Sequence, residues 1–186
     1  ASNAVNEDAV VTGSVSATDA DQASGLVYSL NGAAPTGLTF NADGSYSFDA
    51  ASYDSLATGA TQVITIPYTA TDANNASNSA NLVITITGSN DGPIASAASN
   101  TVLEDGTITG NVSATDADQA TGLTYALNGA APTGLIFNAN GSYSFDAASY
   151  DSLAGGATQI ITIPYTVTDA NSATSTANLV ITVTGT

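Results

Sequence analysis

Residue n of this chain pairs with residue n+97 without a gap from Ala1/Ala98 to Ser89/Thr186, and 69 of the 89 pairs are identical. A repeat of that length suits one small domain with its own core, and it is far longer than the ~20 to 50 residues of a solenoid repeat. The chain therefore reads as two tandem copies of one fold, 1–89 and 94–186, with a joint at 90–93. The joint lies within TGSNDGPIA, 87–95, a stretch that occurs once.

Inside each copy the apolar residues return at period 2. In QVITIPYTA, 62–70, Ile64, Ile66 and Tyr68 fall on one face and Thr65, Pro67 and Thr69 on the other, while Leu82, Ile84 and Ile86 alternate in the same way. Such alternation marks half-buried strands. Further strands are expected at Val10 to Ala17, Gly25 to Leu30, Leu38 to Phe40 and Ser45 to Phe48, between turn-rich stretches such as NGAAPTG and NADG. Six or seven short strands in a unit of this size predict an all-β chain of two antiparallel β-sandwiches joined end to end. No stretch keeps a helical rhythm, and DAASYDSL, 49–56, is the one place where a single helical or 3₁₀ turn fits. Pro67 cannot donate to a ladder, so the 61–70 strand is expected partly at an edge.

The 16 acidic residues have no Lys, Arg or His to meet them. No side-chain salt bridge can form, and a formal charge of -16 works against nucleic acid and anionic membranes. The absence of Cys removes disulfides and thiolate zinc sites and leaves metals that favour oxygen ligands. Apolar runs such as LVITI, 82–86, are too short to insert in a bilayer as helices. A serine nucleophile has no His or Lys base in this chain, so an enzyme is not expected. The start at Ala1, with no signal peptide, reads as a soluble piece of a larger protein, expected to be a monomer.

The acids gather at loops. A lone loop Asp is ordinary turn chemistry, because its side chain bonds its own backbone two residues on. Asp19-Ala-Asp21 and Asp116-Ala-Asp118 ask for more. In an extended strand the two carboxylates of such a pair share one side, about 6 to 7 Å apart, and like charges that close are unfavourable without a cation. Ca²⁺, with six to eight oxygen ligands in flexible geometry, fits better than Mg²⁺, which demands a stricter octahedron. The alternative is a solvated pair of strand-end acids. An EF-hand is excluded, since counting from Asp19 puts Leu30 where the bidentate Glu belongs. Asp43 is read as a hairpin turn, because its counterpart is Asn140 while the following Gly is kept in both copies.

With these residues assembled, the chain resembles cadherin-type repeats, and more closely the bacterial cadherin-like or VCBS-type repeats of giant RTX-group surface adhesins. The resemblance runs through both copies: Glu7 early in the first strand, SATDAD at 16–21 with YSL at 28–30, Asp54, Asp72, and SNDGP at 89–93. It departs from the pattern at YDSL, 53–56, which lacks a second acid, and in a shortened linker.

The resemblance implies a composite Ca²⁺ site at the joint, built from Glu7, Asp54, Asn90 and Asp91 with Asp116, Asp118 and Asp169. Its six carboxylates carry the charge that three Ca²⁺ cancel, and two ions with waters also satisfy the chemistry. Asp19, Asp21 and Asp72, and separately Glu104 and Asp151, are implied half-sites. The implied function is structural: extender repeats of a secreted bacterial surface adhesin, stiffened by Ca²⁺ so that a distal binding module projects for adhesion and biofilm formation. The partners are neighbouring repeats of the same chain. A second reading is a module that binds carbohydrate or protein through the sandwich surface, which needs an exposed aromatic platform such as Tyr53 or Tyr150.

Overall fold

The period-2 stretches form strands in the computed structural model, which describes residues 1–22 and 24–186 and divides into two units, Ala1–Asn90 and Asp91–Thr186. Unit 1 runs β1 (Ser2–Asn6), β2 (Val10–Ser14), β3 (Val27–Leu30), β4 (Leu38–Phe40), β5 (Ser45–Asp49), β6 (Thr61–Thr71) and β7 (Ser77–Thr87). Unit 2 runs β8 (Ile94–Ser96), β9 (Ala98–Leu103), β10 (Thr107–Asn111), β11 (Ser113–Thr115), β12 (Thr124–Leu127), β13 (Leu135–Phe137), β14 (Ser142–Asp146), β15 (Thr158–Thr168) and β16 (Thr174–Thr184). Among the described residues helix is limited to 3₁₀ turns at Ala51–Tyr53 and Ala148–Tyr150, inside the segment expected to allow one turn. Among the described residues no helix is long and apolar enough to cross a membrane.

Each unit is a sandwich of a four-stranded and a three-stranded sheet, β1-β7-β6-β3 on β2-β5-β4 in unit 1 and β9-β16-β15-β12 on β10-β14-β13 in unit 2. The alternating residues behave as their period requires. Leu82, Ile84 and Ile86 are fully buried, as are Leu179, Ile181 and Val183, and they meet Phe48 or Phe145 from the opposing sheet. One pairing departs from an all-antiparallel design: β1 runs parallel to β7, and β9 parallel to β16. A strand's pattern shows which face is buried and leaves the direction of its neighbour open.

The strand expected from Val10 to Ala17 is shorter in unit 1 and divided in unit 2. It ends at Ser14, and in the second copy β10 pairs with β14 whereas β11 pairs with β8. The break falls at Val15 and Val112, whose N–H groups turn to Gly44 O and Gly141 O, each at 2.9 Å, as their side chains enter the core.

Pro67 sits as its missing donor requires. β6 pairs with β7 along its whole length, but β3 covers only Tyr68 to Thr71 on the other side. Asn31 N–H donates to Pro67 O at 2.9 Å, so the backbone of Pro67 faces the side where β3 has just ended. The strand is interior on one flank and an edge on the other, as expected.

Candidate metal centre

β6 and β7 are each eleven residues long, so acidic groups at their two ends lie about 35 Å apart in unit 1. At one end β1 delivers Glu7 beside the end of β7. Glu7 is fully buried, its Oε2 accepts Leu56 N–H at 3.2 Å, and its Oε1 accepts Ser89 N–H at 2.6 Å. Asp54 stands exposed just after the 3₁₀ turn, two residues before Leu56, and Asn90 Oδ1 accepts from Thr58 Oγ1 at 3.5 Å. Unit 2 repeats the arrangement. Glu104, 5% exposed, accepts Thr186 N–H at 2.9 Å through Oε1, while its Oε2 is buried without a hydrogen-bond donor; Asp151 is exposed like Asp54.

At the other end the DxD segment and the β6–β7 or β15–β16 loop come together. The extended conformation expected for Asp19 to Asp21 does not occur. Asp19 Oδ1 accepts Asp21 N–H at 2.8 Å and Gln22 N–H at 2.9 Å, a side-chain-closed turn, and Asp116 does the same for Asp118 at 3.1 Å and Gln119 at 2.9 Å. The turn wins because it satisfies two backbone donors with one carboxylate oxygen. The other oxygen is left over.

Those leftover oxygens define the chemistry of unit 2. Asp116 Oδ2 and Asp118 Oδ1 are buried with no hydrogen-bond donor, while Asp118 Oδ2 accepts Asp91 N–H at 2.8 Å. Carboxylate oxygens of Asp91 and Asp118 come within 4.8 Å of each other. Asp169, 7% exposed, closes its own loop by accepting Ala173 N–H at 2.7 Å, as Asp72 does with Ala76. Buried carboxylate oxygens facing neither donor nor cation are costly. Asp116, Asp118 and Glu104 each keep one such oxygen, which fits a hard divalent ion.

A family model described as Bacterial Ig domain matches residues 1–85 and again 90–182. The chain is a tandem pair of bacterial Ig domains. Among solved structures, the pair is similar to mouse cadherin-23 EC22-24 (TM-score 0.58, 24% identity, all of this chain and 62% of that one). It is similar to Drosophila N-cadherin EC1-4 at TM-score 0.56 and 19% identity, over 98% of this chain and 47% of that one. Human protocadherin-24 EC1-2 gives TM-score 0.53 at 17% identity, over 100% of this chain and 94% of that one. At these identities the likeness speaks for a cadherin-like Ig fold. No curated protein matches.

Some residues of the Ig domains' acidic ends went unread in the sequence. Gln22 and Gln119 follow DAD directly, and their Oε1 atoms accept Ala73 N–H at 2.9 Å and Ala170 N–H at 3.1 Å, tying the DxD turn to the Asp72 or Asp169 loop. Asp8 Oδ2 accepts Ser89 Oγ at 2.7 Å. The signal for Gln was available: DADQ is kept whole in both copies. Asp43 behaves as a turn residue, its Oδ1 accepting Ser45 N–H at 2.9 Å and Ser45 Oγ at 2.6 Å, and Asn140 does the same with Ser142. The aromatic platform is not found at its candidate positions. Tyr53 and Tyr150 are half-buried, packed on Phe48 and Phe145 at 5.8 and 5.7 Å between ring centroids.

Proposed function

We propose that the two Ig domains are extender repeats of a large secreted RTX-group adhesin on a bacterial surface, stiffened at their joint by Ca²⁺ so that distal modules project for adhesion and biofilm formation. The observation that carries this reading is the pair of buried, donor-less carboxylate oxygens on Asp116 and Asp118 in a chain with no cationic side chain, and Glu104 keeps another such oxygen at the opposite end of the second domain. The ion would be held by Asp91, Asp116, Asp118 and Asp169 of the second domain together with Glu7, Asp54 and Asn90 of the first. Asp19, Asp21 and Asp72, with Glu104 and Asp151, would serve further repeats. Ca²⁺ supplies charge and coordination here, and no reaction. Supporting the reading, each domain carries one acidic set at either end of its long strands, an arrangement that serves a chain of like units.

Small-angle scattering tests the stiffening. The maximum dimension should become longer and better defined in millimolar Ca²⁺ than in chelator, and equal profiles would refute the proposal. Calorimetry with Asp118→Asn tests the ligand set: the variant should lose Ca²⁺ binding heat at the joint while keeping its fold.

A further inference from the structure

Each domain carries a hairpin loop that closes almost entirely on itself. In the first domain Asp72 N–H donates to Ala76 O at 2.9 Å and Asn75 N–H to Asp72 O at 3.2 Å, while Asp72 Oδ1 accepts Asn74 N–H at 2.9 Å and Ala76 N–H at 2.7 Å. Ala73 N–H is the exception, and its acceptor, Gln22 Oε1, comes from 51 residues earlier in the chain. The second domain repeats the pattern. Asp169 N–H meets Ala173 O at 3.1 Å and Ala173 N–H meets Asp169 Oδ1 at 2.7 Å, whereas Ala170 N–H reaches across to Gln119 Oε1 at 3.1 Å.

The same glutamine is fixed at its other end by the DxD turn, since Gln22 N–H donates to Asp19 Oδ1 and Gln119 N–H to Asp116 Oδ1, each at 2.9 Å. Its amide lies against a glycine in the left-handed region. A Cβ built on Gly25 would stand 3.5 Å from Gln22 Nε2, and one on Gly122 would stand 3.4 Å from Gln119 Nε2, at φ of +84° and +91°. Glutamine and glycine recur at the same spacing in both copies, DADQASG at 19–25 and DADQATG at 116–122. In the second domain one side chain, bonded at both ends, thus links Asp116 to the residue that follows Asp169.

We propose that Gln119 is a positioning residue for the metal centre, holding the loop that carries Asp169 against the turn that carries Asp116 and Asp118, with Gln22 its counterpart in the first domain. The role presupposes the proposed Ca²⁺ site. Gln119 spends Oε1 on Ala170 N–H, so it acts through the aspartates and not as a ligand. Ligands from separate elements bind an ion tightly only when their relative placement is set before it arrives. Anchoring Ala170 N–H fixes the backbone on which the Asp169 carboxylate stands. A neutral amide does so without adding a like charge beside the acids.

Two variants of the whole chain test this. Gln119→Met keeps the length of the side chain and removes the acceptor, while Gln119→Glu keeps an acceptor oxygen. In chelator, amide exchange at Ala170 should quicken at least about tenfold in Gln119→Met and stay slow in Gln119→Glu, with Ala73 unchanged in both as the internal standard. Calorimetry with CaCl₂ should show the binding step that Asp118→Asn removes weakened about 10- to 100-fold in Gln119→Met and retained in Gln119→Glu. Unchanged exchange at Ala170 in Gln119→Met would mean that no clamp exists. Faster exchange with unchanged Ca²⁺ affinity would make the glutamine merely structural, and equal loss of affinity in both variants would show that the acceptor is not what matters; each overturns the proposal. The metal reading fails by a different result. A parent chain that gives no Ca²⁺ heat, or keeps all of it in Asp118→Asn, refutes the ion and this role with it.

Discussion

Gly37 is held at a φ of +84°, and a Cβ built on it would stand 2.0 Å from Asp49 O; Gly134 repeats both features against Asp146 O. The backbone itself would have to move, so Gly37→Ala should cost at least about 2 kcal/mol in urea unfolding. Gly59→Ala shares the positive φ but meets nothing within 4 Å, and should cost about 1 kcal/mol. Asp43 gives a prediction in acid. The hydroxyl and N–H of Ser45 hold its carboxyl below the ordinary aspartate value. The folded state then binds this proton less readily than the unfolded chain, so the contribution is full above the unfolded value and fades as pH falls through the folded one. NMR titration should give Asp43 a midpoint below ordinary aspartate that rises in Ser45→Ala, and the Asn140 turn should not respond to acid. The chemistry of this turn was legible because the two copies differ there, Asp against Asn, while Gly44 and Gly141 stay. The DxD pair was misread as extended, because its spacing alone does not say which backbone donors a carboxylate will meet.

At the scale of elements, strands with clean alternation were the most legible. In β6, β7, β15 and β16 a buried face was written into every second residue, from Ile64 to Tyr68 and from Leu82 to Ile86. The parallel seating of β1 and the division into β10 and β11 were not legible, since both depend on which neighbour lies alongside. Pro67 shows how a local rule extends to the sheet. Backbone groups two residues apart on a strand face the same flank, so Thr65 and Thr69 both present their N–H on the β3 side with Pro67. β3 reaches Thr69, opposite Ser29, and has ended before Thr65. Thr69→Pro removes an N–H from the β3–β6 ladder and should therefore cost about 1 to 3 kcal/mol for the partner left unpaired. Thr65→Pro should cost clearly less. Guanidinium unfolding of the two variants checks the order, and equal losses would contradict the β3 boundary.

Taken whole, the chain holds 16 acidic side chains and no cationic one, so salt of any kind should raise its stability by screening self-repulsion. A bound ion adds a second term that ionic strength cannot mimic. Screening acts on exposed charge, whereas the orphan oxygens of Asp116, Asp118 and Glu104 are buried and face no donor. Resemblance to cadherin-type repeats made these acids legible as a set, but which oxygen each would keep free was not. That depended on Asp116 spending Oδ1 on its own turn and on Asp118 spending Oδ2 on Asp91 N–H. Ca²⁺ should thus raise the unfolding temperature well beyond NaCl at matched ionic strength. At a free concentration about 100 times the dissociation constant, one site adds about 2.7 kcal/mol. Asp118→Asn should abolish most of the Ca²⁺-specific increment while leaving the NaCl increment in place, because it removes a ligand charge and only one of the screened charges. Matched increments for the two salts in the unsubstituted protein would mean that the carboxylates act as a diffuse field, and the metal reading would fail.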